Sequence, residues 1–198
     1  GSDVSSRYTR RNRAEYRKIA GYIARCVWQR QGNYMVFFPS YRLMEDVLQV
    51  YEEEFSVDWV RCVCQTPDMT EQEREGFLEE FQEREGTLVG FCVLGGIFSE
   101  GVDLTGESLI GAVIVGTGLP QIGSQREILK EYYDKKNHCG FDYAYRYPGM
   151  NKVLQAAGRV IRTKEDKGVI LLLDDRFWDR DYQEIFPREW QDRTGWIR

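Results

Sequence analysis

The apolar residues of this chain follow two different periodicities. Short uninterrupted apolar runs, such as Tyr34 to Phe38, predict strands that are buried on both faces. Between them lie longer segments in which apolar residues recur at helical spacing, such as Leu43, Val47 and Val50. The predicted strands are 34–38, 59–64, 87–94, 109–115 and 168–173, and the predicted helices are 6–31, 41–55, 70–85, 125–136 and 150–161.

The alternation of strands and helices is the signature of right-handed crossover units. It predicts an α/β fold with an open, mostly parallel sheet and helices on both faces, and a length of 198 residues fits one domain. Ligands in such sheets bind at the carboxyl ends of the strands. We therefore expect a site near the loops that follow Phe38, Leu94 and Val115.

Composition and charge exclude several classes of protein. A net charge of -5 gives no overall attraction to nucleic acid, so any surface that binds nucleic acid must be local. No run approaches the roughly 18 apolar residues of a membrane helix, and no signal peptide opens the chain. We therefore expect a soluble intracellular protein without a membrane partner, cytoplasmic in a prokaryote or nuclear in a eukaryote. Gly1 and Ser2 resemble the remnant of a cleaved expression tag, so we expect a longer natural protein.

The cysteines give no sign of a metal site or of disulfides. They are five, an odd number, and they are scattered along the chain, so we expect reduced, structural thiols. Cys62 and Cys64 form the closest pair and His138 is the single histidine, which is too few for a zinc or iron–sulfur site. No metal is therefore expected in this chain.

The usual glycine-rich phosphate motifs are absent from the sequence. No G-x-x-x-x-G-K-[ST] occurs, so the chain cannot cradle a triphosphate by itself in the P-loop manner. Gly95 and Gly96 are followed by Ile97 rather than by a third glycine that opens a helix, so a dinucleotide fingerprint is absent as well. An oxidoreductase is therefore excluded.

Two segments have unusual polar residues beside glycines. In a helix, Arg159 and Arg162 would lie at about 40° and about 340° from Gln155, so that one amide and two guanidiniums share a narrow face. Gly158 and its alanine neighbours have small side chains or none, so they leave these guanidiniums accessible. An accessible planar guanidinium is well suited to donate two hydrogen bonds to phosphate oxygens. A solvated helix face with exposed arginines remains the alternative.

The second segment, 95–104, follows a predicted strand and combines three glycines with the carboxylates Glu100 and Asp103. Its glycines permit positive φ and close approach of a phosphate, and Asp103 could orient a water, a ribose hydroxyl or an arginine. An ordinary loop explains the same residues.

These segments together resemble a known family. Residues 155–162 (Gln-x-x-Gly-Arg-x-Ile-Arg) resemble motif VI of superfamily 2 helicases, and residues 99–104 (Ser-Glu-Gly-Val-Asp-Leu) resemble motif V in the form of the XPD/DinG branch. Residues 37–41 (Phe-Phe-Pro-Ser-Tyr) are similar to motif IV, and residues 113–120 resemble the strand and loop that follow motif V. The resemblance covers about residues 15 to 180 in the family's order.

The resemblance implies a RecA-like three-layer sandwich that forms the second, C-terminal motor domain of an ATP-dependent 5′-to-3′ DNA helicase of the repair type. ATP and Mg²⁺ would bind to a first RecA-like domain of the same polypeptide, so this chain would bind no cofactor and would be inactive alone. Many members hold an iron–sulfur cluster in that first domain. The implied nucleotide-side residues are the arginine fingers Arg159 and Arg162, the coupling residue Gln155, and the cleft-edge residues Glu100, Gly101 and Asp103.

The resemblance also implies that Ser40, Arg42 and Thr117 contact the backbone of single-stranded DNA. A tyrosine-rich stretch, 132–147, either stacks on bases or packs in the core. The alternative to a motor is a module with a helicase-like fold that binds single-stranded nucleic acid or a partner protein. A stand-alone phosphate-binding enzyme would need a cluster with a nucleophile or base, which the sequence does not suggest.

Overall fold

Five parallel strands form the centre of the fold. The computed structural model describes residues 1–82, 86–98, 108–161 and 167–191. Within them the sheet order is β2-β3-β1-β4-β5, and every neighbouring pair is parallel. The strands are β1 (Asn33–Phe38), β2 (Val60–Cys64), β3 (Thr87–Val93), β4 (Gly111–Val115) and β5 (Val169–Leu173).

Helices cover both faces of this sheet. They are α1 (Arg13–Val27), α2 (Tyr41–Glu54), α3 (Glu71–Glu79), α4 (Ser124–Asn137), α5 (Tyr147–Ala157), α6 (Arg180–Gln183) and α7 (Arg188–Gln191). Short 3-10 helices occupy Tyr8–Arg10, Glu80–Gln82 and Asp175–Trp178, and Asp142–Arg146 forms a turn of π-helix. None of the described helices is long and apolar enough to cross a membrane.

Two hydrophobic cores lie on opposite faces of the sheet. One contains the apolar stripes of α1 and α2, including Ile19, Ile23 and Val47, against the strands. The other contains residues from α3 and α5, including Phe77 and Val153. The α/β prediction with helices on both faces of a parallel sheet is therefore confirmed.

The first predicted helix is shorter than its sequence pattern indicates. Helix α1 begins at Arg13, because the side chain of Asn12 accepts a hydrogen bond from Glu15 N at 3.0 Å and caps the first turn. The residues before Asn12 are held instead by hydrogen bonds from Ser5 and Ser6 to Asp175 and Asp174. The predicted helix 70–85 likewise ends at Glu79 and continues as a 3-10 turn to Gln82, while 83–85 lie outside the described residues.

The predicted helix 150–161 is wrong at both ends. Helix α5 begins at Tyr147 and ends at Ala157, with Gly158 as its C-cap. The next amides bond three residues back, from Arg159 N to Ala156 O at 3.3 Å and from Val160 N to Ala157 O at 3.2 Å, which is the tighter 3-10 pattern common at helix ends. Ile161, which lies beyond the end of the helix, is 43% exposed.

The strand order creates one crevice at the carboxyl edge of the sheet. After β1 the chain crosses to β2 at one edge, and after β4 it continues to β5 at the other. The loops after β1 and β4, which are neighbouring strands, therefore leave the sheet in opposite directions, and ligands of open α/β sheets bind at such a point.

Candidate functional site

Helix α5 starts in direct backbone contact with the loop after β4. A Cβ on Gly118 would lie 2.7 Å from Gly149 O, and a Cβ on Gly149 would lie 2.6 Å from Thr117 O. Gly118 also has φ +64, a conformation that favours glycine. The two glycines thus let the turn after β4 and the first turn of α5 approach backbone to backbone at the carboxyl edge of the sheet.

The other end of α5 lies at the amino edge. Val160, just after the helix, packs against Gly168, where a Cβ would lie 2.1 Å from Val160 Cγ1 and 2.9 Å from Ile110 O. Gly168 and Ile110 immediately precede β5 and β4. The 11 residues of α5 span roughly 16 Å, so its two ends are separated by about the depth of the sheet.

The sequence-predicted nucleotide residues that the structure describes lie at this amino edge. Gln155, in the last turn of α5, is exposed, and Arg159, directly after Gly158, is half-buried. Gly158 is exposed, and a Cβ there would meet only the carbonyls of Leu154 and Gln155, at 3.3 and 3.5 Å. Gln155 and Arg159 therefore lie one turn apart with the exposed Gly158 between them, although they are not both on one regular helix.

The other predicted nucleotide residues lie outside the described part of the chain. They are Arg162, Glu100, Gly101 and Asp103. Their placement stays a prediction from the motif resemblance.

The residues that the sequence predicts to contact DNA lie at the opposite, carboxyl edge of the sheet. Ser40 follows β1 and caps α2, because its hydroxyl accepts a hydrogen bond from Leu43 N at 3.4 Å. The Arg42 side chain is 81% exposed and has Asp46 Oδ1 3.4 Å from its Nε. Such exposed pairs contribute little, so the guanidinium can exchange this carboxylate for another anion.

Thr117 occupies the same edge but is buried. It is 1% exposed, and its hydroxyl has no hydrogen-bond partner among the residues that the structure describes. A buried hydroxyl without a partner costs about 1–3 kcal/mol. In this conformation the side chain does not reach the surface, so the residue shapes the turn, and direct contact with DNA would require the loop to open.

A buried carboxylate at the end of β5 organises this edge, and the sequence reading missed it. Asp174 is fully buried and accepts hydrogen bonds from Ser6 N (2.9 Å), Ser6 Oγ (2.7 Å) and Arg176 Nε (2.7 Å). Burial alone would raise its pKa, but the Arg176 guanidinium and Ser6 lower the pKa to about 2. An acidic pair directly after an apolar strand was the available signal, yet its partner lies 168 residues away in the sequence.

Ser6 also contacts the crevice. A Cβ on Gly116 would lie 2.5 Å from Ser6 Oγ and 3.5 Å from Pro39 Cγ. The residues around Ser6 therefore lie beside the loops that follow both β1 and β4. This position of the N-terminal segment could not be read from local sequence, because it depends on the Asp174 hydrogen bonds.

Burial raises the pKa of four of the thiols, those of Cys26, Cys62, Cys64 and Cys92. All five cysteines are free, and burial raises the pKa of Cys26 to about 11 and of Cys62 to about 12. Among the described residues, no group of three or more His, Cys, Asp or Glu side chains is placed to hold a metal ion.

Comparisons with known proteins agree with this architecture. The family model described as "Helicase C-terminal domain" matches residues 23–193. The chain is 29% identical over 188 residues to the ATP-dependent DNA helicase XPD of Sulfolobus acidocaldarius, covering 89% of this chain and 31% of that protein. It is 30% identical over 182 residues to a regulator of telomere elongation helicase 1 homolog of Culex quinquefasciatus, covering 84% of this chain and 18% of that protein.

Solved structures give the same result. An XPD helicase structure superposes with a TM-score of 0.74 at 26% identity, covering 93% of this chain and 32% of that one. The C-terminal domain of the DEAD-box protein Dbp5 shares the fold, with a TM-score of 0.50 at 13% identity over 91% of this chain and 81% of that one. The RecA-like architecture is therefore confirmed, and the chain spans about a third or less of its helicase relatives. The chain belongs to the helicase C-terminal domain family, in its XPD/DinG branch.

Proposed function

We propose that this chain is the second RecA-like motor domain of an ATP-dependent DNA helicase, and that it closes over ATP and Mg²⁺ held by a first domain of the same polypeptide. The observation that supports this most is the end of α5. There Gln155 and Arg159 lie next to each other, beside the exposed Gly158, at the edge of the sheet opposite Ser40 and Arg42. A nucleotide side and a DNA side are thereby separated.

On the nucleotide side, Arg159 and Arg162 donate from their guanidiniums to the γ-phosphate oxygens across the domain cleft. An arginine supplied in this way stabilises the charge that develops in phosphoryl transfer, an effect of about 10³- to 10⁵-fold. Gln155 couples the nucleotide to the cleft. Glu100, Gly101 and Asp103 line the cleft edge, a role that rests on the motif resemblance.

The sequence contains no G-x-x-x-x-G-K-[ST] motif, so the chain completes a phosphate site rather than forming one in the P-loop manner. Alone it should not hydrolyse ATP. An iron–sulfur cluster, where the full protein has one, belongs to the first domain, since the five cysteines here are scattered along the sequence.

On the DNA side, Ser40 and Arg42 contact the phosphates of single-stranded DNA at the carboxyl edge, and Thr117 shapes the turn beside them. Hydroxyls and guanidiniums position a strand in this way without reading its sequence. The 5′-to-3′ direction of movement is proposed from the family resemblance alone.

The test is DNA-stimulated ATP hydrolysis by the full-length protein, comparing wild type with Arg159→Ala and Arg162→Ala. Turnover should fall by about 10³-fold or more while binding of a fluorescent ATP analogue is largely retained. Arg180→Ala is the matched control, because Arg180 is 88% exposed, pairs only locally with Glu184 at 2.8 Å, and should leave turnover unchanged. Unchanged turnover in both test variants would reject the motor role and leave a non-motor binding module as the better account.

A further inference from the structure

The segment before α1 lies over the carboxyl edge of the sheet, beside the crevice between β1 and β4. Its position is fixed by Ser6, which bonds to Asp174 through both its amide and its hydroxyl and lies next to Gly116 and Pro39. Tyr8 follows two residues later, so its backbone lies within about 7 Å of that of Ser6.

The Tyr8 ring is held in place yet exposed. It is 85% exposed, so it contributes almost nothing to either core. Its backbone belongs to the short 3-10 helix Tyr8–Arg10, directly after the anchored Ser6. The Arg11 guanidinium lies 5.6 Å from the ring centroid, and Arg11 Nε donates to Ser6 O at 3.3 Å. An aromatic ring braced by a cation in this way is preorganised for a contact outside the fold.

The surface around Tyr8 is basic although the whole chain is acidic. Arg7, Arg10 and Arg11 lie within five residues that include no carboxylate. The Arg7 side chain is 50% exposed, with Asp175 Oδ1 3.9 Å away, while Arg10 pairs with Glu15 at 3.2 Å.

Arg42, proposed above to contact DNA, belongs to the same surface. Burial and a hydrogen bond to Asp46 raise the pKa of Tyr16, and the guanidiniums of Arg11 and Arg42 both oppose that rise. Both cations are therefore within electrostatic reach of the Tyr16 ring. Arg42 lies beside α1, because Tyr16 hydrogen-bonds to Asp46 and Asp46 Oδ1 lies 3.4 Å from Arg42 Nε.

We propose that Tyr8, with Arg7, Arg11 and Arg42, forms a base-stacking platform for single-stranded nucleic acid. One base stacks on the exposed ring, and the three guanidiniums contact the phosphates on either side of it. Every base presents a π-face, so this contact tolerates any sequence, and it requires an unpaired base. The positive charge favours a nucleic-acid strand over an apolar protein partner. The proposal rests on the proposed function, since it extends the same DNA edge.

The test measures binding of a labelled oligo-dT to the full-length protein by fluorescence anisotropy at fixed salt. Tyr8→Ala should weaken binding by about tenfold, and Tyr8→Phe should retain it, because stacking needs the ring and not the hydroxyl. Trp59→Ala is the matched control: Trp59 is a 41% exposed aromatic residue that directly precedes β2, at the amino edge of the sheet, and its loss should leave affinity unchanged.

A second readout distinguishes stacking from simple attraction. With 2-aminopurine placed along the oligonucleotide, wild type and Tyr8→Phe should quench the base that lies on the platform, and Tyr8→Ala should not. If Tyr8→Ala binds normally while Arg42→Ala is weakened, the edge binds DNA but the platform is wrong, and the ring serves a protein contact instead. If neither variant is weakened, the DNA edge of the proposed function fails together with the platform.

Discussion

Asp174 is a fully buried carboxylate, and such a group is tolerated only where hydrogen bonds and an opposite charge replace water. Here Arg176 donates through Nε and Nη2, and Ser6 donates through its amide and hydroxyl. The two Ser6 donors bind the N-terminal segment to the end of β5, and Arg176 Nη2 also donates to Ser6 Oγ at 2.8 Å. One side chain therefore positions both the loop after β5 and the segment beside the crevice.

We expect this carboxylate to make stability depend on pH. Its pKa is about 2 in the folded protein against an ordinary value of 3.8, so its contribution is fully present above about pH 4 and is lost as the pH falls toward 2. The difference in the free energy of unfolding between wild type and Asp174→Asn should therefore shrink by on the order of 2 kcal/mol over that range. Denaturant titrations of both proteins at several pH values measure this, and a difference that stays constant with pH would contradict it.

At the scale of secondary-structure elements, the strands were the easiest to predict. All except β2, which contains Arg61, are largely apolar runs that end at a turn residue or a polar residue, and each observed strand lies within one or two residues of its predicted bounds. Runs of this kind are buried by helices on both faces, so local sequence and tertiary packing favour the same conformation.

Helix ends were harder, because distant groups decide them. The segment before Asn12 has helix-compatible residues, but its amides and hydroxyls bond to Asp174 and Asp175 across the fold. The C-terminal part of α5 was predicted to continue through Arg159, yet Gly158 ends the helix there. The π-helical turn 142–146 was missed as well, since one turn of that kind leaves no periodicity to read.

The site was only partly predictable for the same reason. Gln155 and Arg159 were predicted from their types and spacing, and the structure places them one turn apart at the end of α5, while their role stays a prediction. The burial of Thr117 follows from the contact between Gly118 and Gly149, which are 31 positions apart, and no local pattern indicates it.

Ser40 lets the structural and DNA-binding roles at the start of α2 be separated. Ser40→Asp should keep the free energy of unfolding close to that of wild type, because aspartate caps helices as well as serine does. The added negative charge should nevertheless weaken binding of single-stranded DNA by repelling phosphate.

The companion variant is Ser40→Ala, which removes the cap and should cost about 1 kcal/mol of stability. Thermal unfolding and DNA affinity are measured for both variants. If Ser40→Asp binds DNA as wild type does, then Ser40 does not lie near the bound DNA strand. The proposed DNA contact at the start of α2 would then rest on Arg42 alone.

At the scale of the whole molecule, the sheet separates two edges with different chemistry. Helix α5 connects them, since it starts against the turn after β4 and ends at Ala157, two residues before Arg159, near the amino ends of β4 and β5. A rigid helix packed on the sheet by Met150 and Val153 couples these edges mechanically. We therefore expect closure on a nucleotide at one edge to move the edge that we propose to hold DNA.

The measurement that tests this separation most directly compares Arg159→Ala with Arg42→Ala in the full-length protein. For each variant, ATP turnover is measured at saturating single-stranded DNA, and DNA affinity is measured over a series of salt concentrations. Arg159→Ala should lose turnover and keep DNA affinity. Arg42→Ala should keep turnover at saturating DNA, bind DNA more weakly, and show a salt slope reduced by about 1. The opposite pattern, in which Arg159→Ala weakens DNA binding without loss of turnover or Arg42→Ala abolishes turnover at saturating DNA, would contradict the division of the domain into a nucleotide edge and a DNA edge.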